Sequence, residues 1–163
     1  MGNKRETNDT MLFEQYKAYV DSACKVTEWR NTANNFLLAI NAFLVTLYGA
    51  FSVYTKNGAW DVSVPIAGIL VCVTWLALIR SYKTLNSAKF KVIHEIEQNL
   101  PEAPYTKEWE KMGKGEGDYL PLTHIEQIIP GIFIALYLFL GVASCARINV
   151  TACQHDSAVI EKK

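Results

Sequence analysis

Three stretches decide how this chain folds: FLLAINAFLVTLYGAFSV (36–53), VSVPIAGILVCVTWLALI (62–79) and IIPGIFIALYLFLGVASCA (128–146). None of them holds an Asp, Glu, Lys or Arg. Each has 18 or 19 residues, within the ~17–25 needed to cross ~30 Å of hydrocarbon. A Lys or Arg at mid-membrane costs about 2.5–3.5 kcal/mol on the insertion scale, so the exclusion of such residues from all three is a physical filter. A core helix of a water-soluble domain has one apolar and one charged face; these windows are apolar on nearly every side. They predict an all-α, multi-pass membrane protein with three transmembrane helices in a single membrane domain spanning residues 1–163.

The rest of the chain is polar. Over all 163 residues, 16 basic side chains balance 16 acidic ones. That balance excludes a dedicated nucleic-acid binder, which needs a basic surplus. Half the residues are hydrophobic, which excludes disorder as a description of the whole chain. Four cysteines are too few for a disulfide scaffold of this length. Residues 1–30 hold Lys4, Arg5, Lys17, Lys25 and Arg30, and 80–127 hold seven more Lys and Arg. The turn 54–61 and the tail 147–163 hold four together. By the positive-inside rule the N-terminus and the long connection are cytosolic. The hairpin turn, signalled by Asn57-Gly58, and the tail then face outward. An outward tail carries Cys145 and Cys153 into an oxidising compartment, which leaves their disulfide state open. The third span could also be re-entrant, or the tail could stay inside.

Residues 9–30 have the pattern of an amphipathic cytosolic helix, with Leu12, Tyr16, Tyr19, Ala23 and Val26 on one side. The second span meets no breaker before Pro101. It is expected to continue to residue 100 as a helix projecting into the cytosol, with Leu85, Val92 and Ile96 as an apolar stripe. That stripe is a candidate oligomer contact, or a seat for the N-terminal helix. Prolines and glycines predict a loop over 101–122. Thr123 and Glu126 form a capping box for the third membrane helix.

No catalytic, cofactor or metal site is legible. His94, His124 and His155 are not at metal-ligand spacing, and no Cys-x-x-Cys occurs. GKGEG (113–117) lacks the Gly-Lys-Ser/Thr ending of a phosphate loop. No Arg-x4–6-His ribonuclease spacing, nucleophile elbow or dinucleotide fingerprint is present. The protein is expected not to be an enzyme.

The first span does carry a pattern. At 100° per residue Asn34, Asn41, Tyr48 and Ser52 fall within about 40° of one another. Such a stripe either hydrogen-bonds to other helices or lines a wet path through an oligomer. One copy with three spans encloses no pore, so a conduit needs several copies around an axis. Arg80, Lys83, Lys89 and Lys91 would then crown its cytosolic mouth and disfavour cations.

The run WLALIRSYKTLNSAKFKVIHEIEQNLP followed by APYTKEW, with EWRNTANNFLLAINAFLVTLYG upstream and YLPLTHIEQIIPGIF downstream, resembles the RipA family of small octameric bacterial membrane proteins. The likeness covers roughly residues 12–140 and leaves the tail outside it. It implies a bacterial inner-membrane location, a ring of eight copies and no established reaction. Some octameric membrane proteins of similar size act as pores beside antiviral defence systems, which is a parallel by analogy. The expected partners are lipid and further copies of the chain, with a cytosolic protein if the ring is a scaffold in stress or defence. No nucleic acid and no cofactor is expected.

Overall fold

The computed structural model describes residues 2–52, 58–112 and 122–161, and side chains within 7–52, 59–112 and 122–147. Four helices follow one another: α1 (Gly2–Ser52), α2 (Gly58–Glu97), α3 (Pro104–Lys111) and α4 (Leu122–Glu161). No strand occurs among the described residues. By length and composition α1, α2 and α4 can each cross a membrane. The all-α, three-span architecture expected from the charge-free windows is the architecture found.

The chain divides into two compact units. One is formed by Asn34–Ala77 and Glu126–Lys163 and contains all three charge-free windows apart from the last residues of the second. Its interior holds Leu37, Asn41, Tyr48, Val64, Cys72, Trp75, Tyr137 and Ser144. Its outside is apolar as well: Phe36, Phe43, Leu70, Ile132, Phe139 and Val142 are all more than 60% exposed. This arrangement is not that of a protein folded in water. It arises when hydrocarbon is the solvent and the polar groups must satisfy one another within the protein. Gly68 packs tightly on the buried ring of Tyr137: a Cβ on residue 68 would lie 2.3 Å from its Cζ. Only glycine allows this approach.

The other unit joins Met1–Ala33 to Leu78–Ile125. Ala23 and Val26 of α1 and Ile79 and Ile93 of α2 are buried in it, and Tyr16 is half-buried. The apolar side expected for 9–30 is therefore largely the packed side, although Tyr19 remains 39% exposed.

Three expectations need correction. The 9–30 helix and the first span are not separate elements, because α1 runs unbroken through both. The stretch 101–122, expected to be loop, contains α3. Pro104 stands at its first turn, where the missing amide and the preset φ favour a helix start. Helix α4 begins at Leu122, so Thr123 lies inside the helix and is not its cap. The tail continues α4 to Glu161. Cys145 is a free thiol. Asn57, the GKGEG segment and the side chains of the tail lie outside the described residues.

Candidate functional site: two polar faces of α1 and a carboxylate clamp

The expected polar stripe of α1 is turned into its own three-helix unit. Asn34 Oδ1 accepts the indole N–H of Trp75 at 2.8 Å. Asn41 is completely buried. Its Nδ2 donates to the Leu37 carbonyl at 2.8 Å, and its Oδ1 accepts the Cys72 thiol at 3.2 Å. Its backbone carbonyl accepts the Tyr137 hydroxyl at 3.3 Å. Tyr48 Oη lies 2.8 Å from Ser144 Oγ. Ser144 gives its own proton to the Leu140 carbonyl, so Tyr48 is the donor of that pair. Ser52 only returns to the Gly49 carbonyl, at 3.4 Å. Asn34, Asn41 and Tyr48 thus tie α1 to α2 and α4, and a completely buried Asn41 cannot line a path. In this protomer three of the four residues of the stripe bond to other helices, and Ser52 does not.

About 120° around α1, at 100° per residue, lies a second face. Asn35, Ala39, Ala42, Thr46 and Gly49 recur at spacings of four, three, four and three, and all are exposed. Thr46 donates to the Ala42 carbonyl at 2.9 Å. A Cβ on residue 49 would have nothing within 4 Å, so packing inside the protomer does not demand a glycine there. Large apolar side chains are what lipid favours, and Phe36 and Phe43 on the neighbouring strip have them. This face is small and polar instead. The spacing was readable in the sequence, but it looks the same as that of the inward stripe. Only packing separates the two: Asn34, Asn41 and Tyr48 bond to other helices, whereas Thr46 bonds within its own helix.

The cations expected at a mouth are not equivalent. Arg80, Lys83 and Lys91 are exposed. Lys89 is half-buried, donates to Ser22 Oγ and lies 6.0 Å from the centre of the Tyr19 ring. It is spent on holding α1. Among the expected oligomer contacts, Leu85 is exposed, and Val92 and Ile96 are half-buried. The fully packed side of α2 is instead that of Ile93 and Glu97.

Sequence reading missed Glu97. Its carboxylate is wholly buried. Helix α3 opens with Ala103 at its cap and Pro104 behind it, so neither residue offers a side-chain acceptor to the first amides. Glu97 supplies it. Its Oε1 accepts the Tyr105 amide at 3.0 Å, and its Oε2 accepts the Thr106 amide at 3.0 Å. A negative charge also suits a helix N-terminus. Oε1 further accepts the Tyr16 hydroxyl at 3.0 Å, and Oε2 accepts the Thr106 hydroxyl at 2.8 Å. One side chain thus joins α1, α2 and α3. The Thr106 hydroxyl proton is committed to Glu97, so His94 Nδ1, 2.9 Å from Thr106 Oγ1, must carry the hydrogen between them. Burial opposes the charge on Glu97, but the donors of Tyr105, Thr106 and Tyr16 prevail and hold its carboxyl below the usual carboxylate range. Burial, followed by the hydrogen bond to Glu97, pushes the Tyr16 phenol up to about 12. A capping carboxylate eight and nine residues upstream of its amides has no sequence signature.

No group of three potential metal ligands occurs among the described residues. Neither a curated protein nor a solved structure matches the chain. The family model for octameric membrane proteins (8xMP) matches residues 13–146, which takes in all three spans, the Glu97 clamp and α3. With apolar helices that can cross a membrane, a protein-facing polar seam and that match, the chain belongs to the octameric membrane protein family.

Proposed function

We propose that copies of this protein assemble into a ring around a conduit through the bacterial inner membrane, with the outward face of α1 as its lining. The observation that supports this reading is the strip Asn35–Ala39–Ala42–Thr46–Gly49, small and exposed beside the large apolar Phe36 and Phe43 of the same membrane segment. Small residues let other helices approach closely, and around a shared axis the same face meets water or its own copies. The lining carries no charge. The Lys and Arg counts support a cytosolic N-terminus and Glu97 clamp, where exposed Arg80, Lys83 and Lys91 would give the mouth a positive potential. The reading assigns the protein no reaction.

Conductance of the purified oligomer in planar bilayers tests it. A Thr46→Cys variant lacking the exposed native thiols should lose or change current when a charged thiol reagent is added. An oligomer that never conducts, or whose current ignores a modified residue 46, overturns the reading.

A second reading is a membrane scaffold for a cytosolic protein. It is favoured by Trp109 and Met112, which stand 44% and 38% exposed on and just after α3. Replacing both with Ala should abolish capture of that partner and leave conductance unchanged.

A further inference from the structure

The second charge-free window ends at residue 79, and the next residue is Arg80. The polar layer of a bilayer is about 5–8 Å deep on each side of the hydrocarbon. Arg80 and Lys83, about 4.5 Å apart along α2, therefore stand at the level of the lipid phosphates. Trp29 marks the same level independently. Ser22 of α1 meets Lys89 of α2, and Tyr16 meets Glu97, so the two helices run antiparallel here. Seven residues on from Ser22 is Trp29, and seven back from Lys89 is Tyr82, between the two cations. Trp29 is 59% exposed, as an aromatic ring anchored at a membrane surface is.

From Arg80 to Lys91, α2 carries four cations and no acid. Lys89 is turned inward to Ser22. Arg80, Lys83 and Lys91 are exposed and lie within about 80° of one another at 100° per residue. None of the three is in an ion pair among the described residues. Acids of α1 and α2 do not neutralise Arg80 and Lys83. Glu28 is level with Lys83, but at 100° per residue it lies about 140° around α1 from the packed Ala23 and about 160° from the packed Val26, on the side away from that packing. Glu95 shares the cation side of α2 and can offset Lys91, one turn below it. It stands about 22 Å from Arg80 along the axis, more than twice the ~8–10 Å over which exposed charges act.

We infer that Arg80 and Lys83 bind the phosphodiester of an anionic phospholipid. The guanidinium fork of Arg80 matches two phosphate oxygens, and the Lys83 ammonium adds a second charge on the neighbouring turn. A zwitterionic headgroup brings its own cation to the same place and gains less. The inference rests on the membrane setting and not on a conduit, so a ring that carries no current leaves it standing.

Titration of the full-length protein in detergent with phosphatidylglycerol or phosphatidylcholine, read by native mass spectrometry, tests it. Phosphatidylglycerol should bind more tightly. Arg80→Gln together with Lys83→Gln should weaken its binding about 30-fold and leave phosphatidylcholine unchanged. Lys25→Gln together with Lys111→Gln removes the same charge elsewhere and should change little. Arg80→Lys together with Lys83→Arg exchanges the cations and should keep the preference for phosphatidylglycerol. Equal binding of the two lipids, unchanged binding after loss of Arg80 and Lys83, or an equal loss in the Lys25 and Lys111 control overturns the inference. So does displacement of the lipid by millimolar inorganic phosphate, which would make this a site for a soluble anion.

Discussion

Replacing Glu97 with Gln removes one charge and almost no volume, and the geometry of the clamp sets the cost. Each oxygen of Glu97 accepts one backbone amide and one hydroxyl. An amide side chain has a single oxygen. If that oxygen faces Tyr105, the new NH2 group faces the Thr106 amide; if it is flipped, the NH2 faces the Tyr105 amide. The hydroxyls can turn to accept, but a backbone N–H cannot. One first-turn amide of α3 is therefore left opposite a donor, at a cost of about 1–3 kcal/mol. The remaining bonds lose their charge assistance, which brings the total to roughly 2–4 kcal/mol. Each ~1.4 kcal/mol is tenfold in an equilibrium, so amide protection over α3 should fall roughly 30- to 1,000-fold. Hydrogen exchange resolved by mass spectrometry reads this directly on peptides covering 104–112. Peptides from the membrane unit serve as internal controls, since Glu97 makes none of its bonds there. Unchanged exchange over 104–112 in Glu97→Gln would refute the clamp.

The pH dependence of the same clamp has a defined sign. A carboxyl held low in the folded state contributes stability above its unfolded pKa, and that contribution is lost as pH falls through the depressed value. Exchange of α3, corrected for its intrinsic pH dependence, should be flat from pH 8 to about 5 and rise only below the ordinary carboxylate range near 4; a transition near neutrality would contradict this. Gly68→Ala drives a methyl into the Tyr137 ring, which is buried and hydrogen-bonded to Asn41 and cannot swing away. It should destabilise the membrane unit by about 1–3 kcal/mol, seen as a lower unfolding temperature in detergent. Gly49→Ala meets open space, so it should leave the protomer as stable as before while changing conductance or assembly. Asn41→Leu removes the acceptor of Cys72 and a fully buried amide. It should cost about 0.6–2 kcal/mol and leave single-channel current unaltered in whatever assembles.

How much of the molecule is legible in its sequence depends on the cost of error in lipid. A charge inside a span is expensive, so the spans announce themselves by what they lack, and three windows sufficed to establish the fold class. Junctions outside the membrane carry no such penalty. The unbroken passage of α1 through residues 30–36 and the helical start at Pro104 depend on small preferences that tertiary contacts override. Glu97 was illegible for another reason. Its partners are supplied by α1 and by backbone amides, and a backbone amide has no letter in the sequence.

The two polar faces of α1 show where periodicity stops being informative. Asn34, Asn41 and Tyr48 repeat every seven residues, and Asn35, Ala42 and Gly49 repeat every seven residues one position later. Both repeats satisfy helical spacing, so spacing alone cannot say which faces the protomer. Size can. A polar group that must reach across to another helix needs length, and Asn and Tyr have it. A face that must admit a neighbour or water needs its absence, which Ala and Gly provide. In hydrocarbon the first face holds one copy together through bonds of about 0.6–2 kcal/mol each. The second makes no bond to another helix of the protomer, and inside the span it is small: Ala39, Ala42, Gly49, and Thr46 with its hydroxyl returned to the Ala42 carbonyl. Small residues let another helix come close, and in an octameric family the helix at hand is one of the same chain.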